Sequence, residues 1–342
     1  MSTFVSNTVA SGANQFFFTS SPETVHTCRV FYRVKKAGTY PYSLFFSNRL
    51  DSTYADGRTG WANLSCEPWV IHSLGLAPCR GVTEEALSFV TVAENITVED
   101  TFQTAPSELT VDDYLCMEMA FSGTMMPYHE ETLLPILEQT ENGWVPTKKM
   151  PLPGMVGVDR AVEKRIGYVG DSITQGIGTP IDSYAHWNAL VSGKSGDAYA
   201  YHNLGIGYAR AHDLATMGAW MDKAIENDVI VLCLGANDIL QNYPEEQIKT
   251  DLCTLVTAFK QAGKTLLLQA VPPFEYAPHQ LEVWERVNNY VKDTLAPMAD
   301  GFFEPATVLT SDGKTPLYGG HPNEKGCALW AEALYPILKQ LL

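Results

Sequence analysis

The stretch that decides the fold is Arg165-Ile166-Gly167-Tyr168-Val169-Gly170-Asp171-Ser172-Ile173-Thr174-Gln175-Gly176. Its apolar run ends in a glycine, an acid and a serine, which predicts a buried strand that delivers Ser172 at its carboxyl end. Reacting groups of open α/β sheets lie at this edge, and the amides of a following helix would favour nucleophilic catalysis there. The structural alternative is that Ser172 caps that helix and that Asp171 lies in the turn.

Two later segments carry the partners that a serine nucleophile needs. The apolar residues 229–234 are followed by Gly235-Ala236-Asn237-Asp238, and residues 318–326 contain His321 directly before a helical pattern. Histidine is the usual general base for a serine, and a side-chain amide can stabilise an oxyanion. Taken singly, Asn237 is a turn residue and His321 a surface histidine. In this order, behind Ser172, they predict a catalytic set.

Over residues 164–342 the ordered segments resemble the SGNH (GDSL-type) hydrolase family. Its first block is matched by residues 170–173, its second loosely by residues 203–208, its third by residues 235–238 and its last by residues 321–323. The resemblance implies that Ser172 is the nucleophile and His321 the general base. It also implies an oxyanion hole formed by the backbone amide of Ser172, a backbone amide at Gly207 or Tyr208, and the Asn237 side chain.

The chain departs from the family at the group that would orient His321. The family usually has an aspartate three residues before the histidine, and Tyr318 stands at that position here. Some relatives use a Ser–His dyad whose imidazole is held by a backbone carbonyl, and this is the interpretation we prefer. Asp312 is the alternative acid. Asp171 is a poor orienter, because adjacent residues at a strand end point apart.

A second departure concerns the glycine that completes the family's oxyanion hole. Counting from Asn203, this position falls on Tyr208, and Gly207 lies one residue short. A backbone amide can donate from either residue, so the function would survive. The Tyr208 ring would narrow or line the pocket, which favours a small acyl group such as acetyl.

The chain divides into two parts that differ in their pattern of apolar residues. Residues 1–146 hold short aromatic or alternating runs separated by turn residues, which favours an antiparallel β-sandwich. Some carbohydrate-acting SGNH esterases carry a jelly-roll domain at this place. Residues 147–163 lack a clear period and are predicted to be a linker. In residues 164–342 strands alternate with helices, which predicts a three-layer α/β/α domain with a parallel sheet. Within these parts we predict helices at residues 210–227 and 245–261, and a short one at 130–139.

Three side chains outside the catalytic set are candidates for substrate binding: Gln175, Tyr318 and Trp61. Trp61 lies in a polar stretch, so its ring could stack on a sugar. Most other aromatic residues of the β-rich part are expected to fill its core. Trp187 and Trp220 are further candidates for the pocket wall, but helix or core packing is the better interpretation of both.

Charge and cysteine content limit the partners and the location. The chain has 23 basic and 39 acidic residues, a formal net charge of −16, which argues against nucleic acid and against an anionic membrane surface as partners. No apolar run is long enough for a transmembrane helix. The seven cysteines form no Cys-x-x-Cys pair and the start lacks a secretory pattern, so we expect reduced thiols and a cytoplasmic location. No spacing predicts a metal or a cofactor.

The leading hypothesis is a serine esterase that removes short acyl groups, acetyl above all, from a small or oligomeric carbohydrate. The ester chemistry depends on the motif set, whereas the sugar depends only on the β-rich part and on analogy with the family. The alternatives are an acyltransferase with the same dyad, a lipase or thioesterase for longer chains, and a non-catalytic carbohydrate-binding protein. Exposed aromatic residues would also allow a homo-oligomer.

Overall fold

The computed structural model describes residues 4–55, 59–309, 317–318 and 320–342 of the chain. Its N-terminal part is built of antiparallel strands. They are β1 (Phe4–Ser6), β2 (Asn14–Thr19), β3 (His26–Arg33), β4 (Gly38–Ser47), β5 (Arg49–Ala55), β6 (Thr59–Ser65), β7 (Trp69–Cys79), β8 (Val90–Val98), β9 (Thr101–Gln103), β10 (Ser107–Val111), β11 (Tyr114–Ser122), β12 (Met125–Glu130), β13 (Ile136–Thr140), β14 (Gly143–Thr147), β15 (Lys149–Met150) and β16 (Met155–Asp159).

Two of the antiparallel sheets share one hydrophobic core. One sheet has the strand order β14-β13-β3-β11-β7-β8, and the other has the order β1-β16-β4-β10 with β9 beside β4. Alternate residues face inward: Val30 and Tyr32 of β3 lie in the same buried cluster as Tyr42, Leu44 and Phe46 of β4. This period of two is the signature of strands with one buried face. The N-terminal part is therefore a β-sandwich.

The segment predicted to be a linker, residues 147–163, belongs to the sandwich instead. β15 pairs with β12, and β16 lies between β1 and β4, where Val156 and Val158 are buried in the core. The short helix predicted at 130–139 is also wrong, because strand β13 forms there between β3 and β14. In both places pairing with strands that are distant in sequence decides the structure, and the local pattern does not show it.

The C-terminal part alternates strands with helices. Its strands are β17 (Lys164–Gly170), β18 (Tyr199–Gly205), β19 (Val229–Cys233), β20 (Thr265–Gln269), β21 (Gly301–Phe303), β22 (Leu317–Tyr318) and β23 (His321–Pro322). Its α-helices are α1 (Ser172–Gln175), α2 (Trp187–Ser195), α3 (Ala211–Ala215), α4 (Ala219–Ile225), α5 (Ala236–Leu240), α6 (Glu245–Gln261), α7 (Pro278–Tyr290) and α8 (Glu324–Lys339).

A parallel sheet with the order β18-β17-β19-β20-β21 forms the centre of this domain. Every residue of β19 is buried, as expected of a parallel strand covered by helices on both faces. α2 packs on α8 through the stacked rings of Trp187 and Trp330, whose centroids are 5.1 Å apart. α6 packs against α3 and α7. The predicted α/β/α domain with a parallel sheet is thus confirmed, and α6 has the predicted bounds.

The helix predicted over residues 210–227 is broken into α3 and α4. The break contains Met217, whose φ is 58°, and Gly218. Asn63 of β6 reaches into this break, where its Oδ1 accepts the N–H of Ala219 at 3.1 Å. A Cβ on Gly218 would lie 1.4 Å from the same oxygen. A contact from the sandwich therefore interrupts a pattern that is helical on its own.

An ion pair between a partly exposed lysine and a buried aspartate joins the sandwich to the α/β domain. Lys223 Nζ lies 2.6 Å from Oδ2 of Asp51, whose side chain is only 3% exposed and also accepts from Gln15 Nε2 at 3.2 Å. Two cavities, of about 110 and 630 Å³, lie between the domains beside Lys223. Neither has Ser172 or His321 among its described lining residues, although the smaller one reaches Gly205 and Ile206 at the end of β18.

We expect the Lys223→Ala variant to be strongly destabilised, because it leaves the Asp51 carboxylate buried without its cation. Removing one partner of a buried pair typically costs about 3–5 kcal/mol. Urea unfolding of wild type and variant measures this loss. The Asp51→Asn/Lys223→Met double variant is the control, since it removes both charges. It should lose less stability than Lys223→Ala, and an equal or larger loss would contradict the role given to the ion pair.

Candidate active site

The order of the central strands places three loops side by side at the carboxyl edge of the sheet. β17 lies between β18 and β19, and Gly170 at its end is opposite both Gly205 and Cys233. A Cβ on Gly170 would lie 2.0 Å from Thr174 Oγ1 and 2.5 Å from the carbonyl oxygen of Cys233. Only a residue without a side chain lets β17 turn directly into α1 at this point.

Ser172 is the first residue of α1, and its Oγ lies 2.9 Å from Nε2 of His321. This is the hydrogen-bond distance that the predicted roles of nucleophile and general base require. The helix cap is Asp171, whose Oδ1 accepts the N–H of Ile173 at 2.9 Å. The alternative in which Ser172 serves only as the cap is therefore wrong, and its hydroxyl bonds to the imidazole.

A two-stranded hairpin presents His321 at the same edge. β22 and β23 pair antiparallel with Tyr318 opposite His321, and Gly320 in the turn has a φ of 81°, a conformation that favours glycine. The Phe274 ring, from the segment after β20, lies edge to face with the imidazole, with centroids 5.0 Å apart and an interplanar angle of 83°. Asn323 then caps α8. The Phe274 ring thus packs against the imidazole, and the cap fixes the backbone that follows His321.

The loops that follow β18 and β19 meet each other through Asn237. This buried side chain donates from Nδ2 to the carbonyl oxygen of Ala209 at 2.9 Å. Tyr208, where the family's glycine is expected, has a φ of 63°, in the left-handed region that side-chain-bearing residues rarely adopt. Its side chain is 42% exposed. Asn237 is thus tied to the loop that carries Gly207 and Tyr208.

Two buried carboxyls, whose structural role sequence reasoning missed, hold these loops. Asp238 accepts the N–H groups of Ala211 at 2.9 Å and His212 at 3.3 Å, so it ties the third loop to the start of α3. Burial raises the pKa of Asp238 to about 6, although these hydrogen bonds act in the opposite direction. Burial, aided by the nearby Asp238, raises the pKa of Asp171 to about 7. The sequence does contain a signal for Asp238, an acidic residue directly after Asn237. We interpreted this residue only as part of a turn.

Gln175 does not face a substrate pocket. Its side chain is 0% exposed, and its Nε2 donates to the backbone oxygen of Glu131 in the sandwich at 2.8 Å. The prediction that Gln175 contacts substrate is therefore wrong, because a residue of the other domain covers it. Trp187 and Trp220 are core residues, as expected, and their indole N–H groups donate to carbonyls of α1 and β18.

Three predicted residues fall outside the described part of the chain. Asp312 is among the residues that the structure does not describe. Trp61 and Tyr318 have described backbones, in β6 and β22, but their side chains are not described. The roles suggested for these three residues stay predictions.

Among the described residues, no group of three or more His, Cys, Asp or Glu side chains could hold a metal ion. The same part of the chain has no helix that combines the length and the apolar character of a membrane span. The seven cysteines are unpaired, and five of them are buried.

We expect the Asp171→Asn variant to gain stability relative to the wild type as the pH rises from about 4 to about 7. In this window the folded wild type holds a proton on Asp171, whose pKa is about 7, whereas the unfolded chain, with the ordinary value of 3.8, has released it. The contribution of Asp171 to wild-type stability therefore falls with rising pH. Asparagine caps helices about equally well and has no such dependence.

Urea unfolding of both proteins at the two ends of this window measures the effect. Asp228→Asn is the control, because this carboxyl also accepts a backbone N–H, that of Arg165, but lies at the opposite edge of the sheet. A stability difference between Asp171→Asn and wild type that stays constant with pH would contradict a buried, protonated Asp171.

The GDSL-like Lipase/Acylhydrolase family model matches residues 168–329. An acetylxylan esterase of Xylanibacter ruminicola is 25% identical over 257 residues, which are 64% of this chain and 49% of that protein, so the match spans about half the length of this curated relative.

Two solved structures are each similar to about half of this chain. A member of the lipolytic protein G-D-S-L family from Veillonella parvula shares 23% identity at a TM-score of 0.44, over 52% of this chain and 98% of that chain. A carbohydrate acetylesterase family member from Sinorhizobium meliloti shares 18% identity at a TM-score of 0.40, over 52% and 99% of the two chains. Residues 168–329 are therefore a GDSL-like lipase/acylhydrolase domain.

Proposed function

We propose that this protein is a serine esterase that hydrolyses short acyl esters, acetyl esters above all, of a carbohydrate. The observation that carries the proposal is the 2.9 Å contact between Ser172 Oγ and His321 Nε2 at the carboxyl edge of a parallel sheet. The family relation supports the ester chemistry. The acetylxylan esterase relative supports both the acetyl group and the sugar.

In the proposed reaction, His321 takes the hydroxyl proton of Ser172 while the serine oxygen attacks the acyl carbonyl carbon. The tetrahedral intermediate collapses as the bond to the alcohol oxygen breaks, and His321 gives its proton to that oxygen. The acyl group is then held as an ester on Ser172. Water, deprotonated by His321, attacks this ester, and the acid leaves as Ser172 regains its proton. None of these steps requires a cofactor.

The proposed oxyanion hole combines a side-chain amide with backbone amides. The Asn237 nitrogen carries two N–H groups; one donates to Ala209, so the other can serve the oxyanion. The N–H groups of Ser172 and Tyr208 complete the hole, with Gly207 as the alternative donor. The left-handed backbone of Tyr208 supports its equivalence to the family's glycine.

We infer a dyad rather than a triad. Tyr318 stands where the family's aspartate is expected, and its backbone pairs with that of His321 in the β22–β23 hairpin. Asp171 caps α1 through Oδ1. Our proposal is therefore that a backbone carbonyl orients the imidazole, with Asp312 as the alternative acid.

The acyl subsite is proposed to be small because the exposed Tyr208 ring adjoins the oxyanion loop. The proposed substrate is a soluble acetylated oligosaccharide or a related small ester. A cytoplasmic location and a homo-oligomer are further proposals, as is the absence of nucleic-acid and membrane partners, which the net charge of −16 supports.

We expect the wild type to hydrolyse p-nitrophenyl acetate and to lose activity along the ester series toward octanoate, because Tyr208 limits the acyl chain. Ser172→Ala should lower kcat by several orders of magnitude, since it removes the nucleophile. Ser195→Ala on α2 is the matched control, because it removes a hydroxyl that donates to Val191 of its own helix. Full activity of Ser172→Ala would contradict the mechanism.

A preference for octanoate would favour a lipase or thioesterase, and acyl transfer to an added sugar at low concentration would favour a transferase.

We expect Asn237→Ala to lower kcat by about a hundredfold to a thousandfold with a small change in KM, because it removes one oxyanion donor. Steady-state kinetics on p-nitrophenyl acetate measure both constants. Asn142→Ala, in the exposed turn between β13 and β14, is the control and should match the wild type. A kcat of Asn237→Ala equal to that of the control would remove Asn237 from the proposed hole.

A further inference from the structure

The sandwich reaches the catalytic loops through the segment that leads into β2. The N–H of Gly12 donates to the carbonyl oxygen of Gln175 at 3.3 Å. A Cβ on Gly12 would lie 1.9 Å from the carbonyl oxygen of Gly205. Two residues later, Asn14 is 4% exposed. This part of the sandwich therefore lies directly against the end of α1 and the end of β18.

Two side-chain amide oxygens converge on Gly207. A Cβ on Gly207 would lie 1.6 Å from Asn14 Oδ1 and 2.7 Å from Gln175 Oε1. Both oxygens are buried, and neither accepts a hydrogen bond within the described part of the chain. Any side chain at position 207 would collide with them. The two oxygens therefore restrict the position of the loop at Gly207, and only glycine fits there.

Glu131 sets the orientation of both amides. Its Oε2 accepts from Asn14 Nδ2 at 2.8 Å, and its backbone oxygen accepts from Gln175 Nε2 at 2.8 Å. Because each nitrogen is bound to Glu131, the oxygen of each amide points toward Gly207. Glu131 has a φ of 53°, and its N–H donates to the carbonyl of Lys148 at 3.1 Å. The rest of the sandwich thus holds Glu131 in a strained conformation.

The arrangement is unfavourable for stability but suited to positioning. Buried acceptors without donors and a left-handed glutamate both cost free energy, and such costs concentrate at functional sites. The peptide between Gly207 and Tyr208 carries the N–H assigned to the oxyanion hole. Whatever fixes Gly207 therefore also fixes that donor.

We propose that Asn14, oriented by Glu131, is a positioning residue for the oxyanion loop. It holds Gly207 so that the N–H of Tyr208 faces the developing oxyanion. The sandwich is then part of the catalytic apparatus and not only a domain for binding sugar. This inference rests on the proposed function, in which the Tyr208 N–H is a donor. A displacement of about 1 Å in such a group can cost about a hundredfold in rate.

The first test compares Asn14→Ala with Ser11→Ala. Ser11 bonds to Thr132 and to the N–H of Leu133, so it joins the same two segments of the sandwich. The three atoms nearest to a Cβ on Gly207 belong to Asn14 and Gln175 instead. We expect Asn14→Ala to lower kcat on p-nitrophenyl acetate by about tenfold to a hundredfold with KM nearly unchanged. Ser11→Ala should keep both constants. Equal kcat values in the two variants, at comparable Tm, would overturn the proposal.

A donor–acceptor exchange gives the second test and still applies if Asn14→Ala fails to fold. Asn14→Asp alone places two carboxylates together and should lower kcat. Adding Glu131→Gln lets the new amide donate to the new carboxylate, which restores the hydrogen bond with its polarity reversed. We expect this double variant to recover most of the lost kcat. A double variant no more active than Asn14→Asp would contradict the role of the Asn14–Glu131 contact.

The rate of Ser172 labelling by a fluorophosphonate separates this inference from the proposed function. Phosphonylation needs the nucleophile and the oxyanion hole but no particular acyl group. A wild type that is neither labelled nor active on any ester would overturn both. If the wild type is labelled and Asn14→Ala is labelled at the same rate, only the inference about Asn14 is overturned. Labelling of Asn14→Ala slowed by about the factor seen in kcat would support it.

Discussion

The whole site depends on the close approach of backbones at the carboxyl edge of the parallel sheet. Gly170 and Gly205 lie opposite each other at the ends of β17 and β18. A Cβ on Gly205 would lie 2.2 Å from the backbone nitrogen of Gln175. Because both positions lack side chains, α1 begins at once after β17 and packs on the end of β18. This close packing sets the position of Ser172 at the start of α1, within 2.9 Å of His321.

At this edge, backbone N–H groups that are buried from water form hydrogen bonds with carboxyl side chains of neighbouring residues. Asp171 accepts the N–H of Ile173 in α1, and Asp238 accepts the first two N–H groups of α3. Burial raises the pKa values of both carboxyls to about 7 and about 6, so the unfavourable transfer from water outweighs the favourable hydrogen bonds. For this cost, Asp171 caps the helix that begins with Ser172, and Asp238 ties the loop of Asn237 to the start of α3.

The sequence predicted the features that local patterns determine. Alternation of strands and helices after residue 164 indicated the parallel sheet, and the glycine, acid and serine at the end of β17 located Ser172. Its partner His321, 149 residues later, could be found only because a recognisable motif surrounds it. The predictions were wrong where a contact with residues distant in sequence determines the local structure. Residues 147–163 form strands because β1, β4 and β12 offer pairing edges. Gln175 is buried because Glu131, from the other domain, covers it.

The sandwich also explains how a loop on an edge strand would be held in place for the proposed catalysis. Within the described chain, β18 has β17 as its one neighbour in the sheet, and its other side faces the sandwich, where His202 Nε2 lies 3.3 Å from the carbonyl of Gly154. An uncovered edge strand is prone to fraying and to pairing with other chains. A loop attached to such an edge would hold a catalytic N–H poorly, although an oxyanion hole needs its donors placed within about 0.5 Å. Gly12 and Asn14 contact this edge at the end of β18, where the proposed oxyanion loop begins. The β-sandwich therefore lies beside the edge strand β18, on the side where this strand has no neighbour in the sheet.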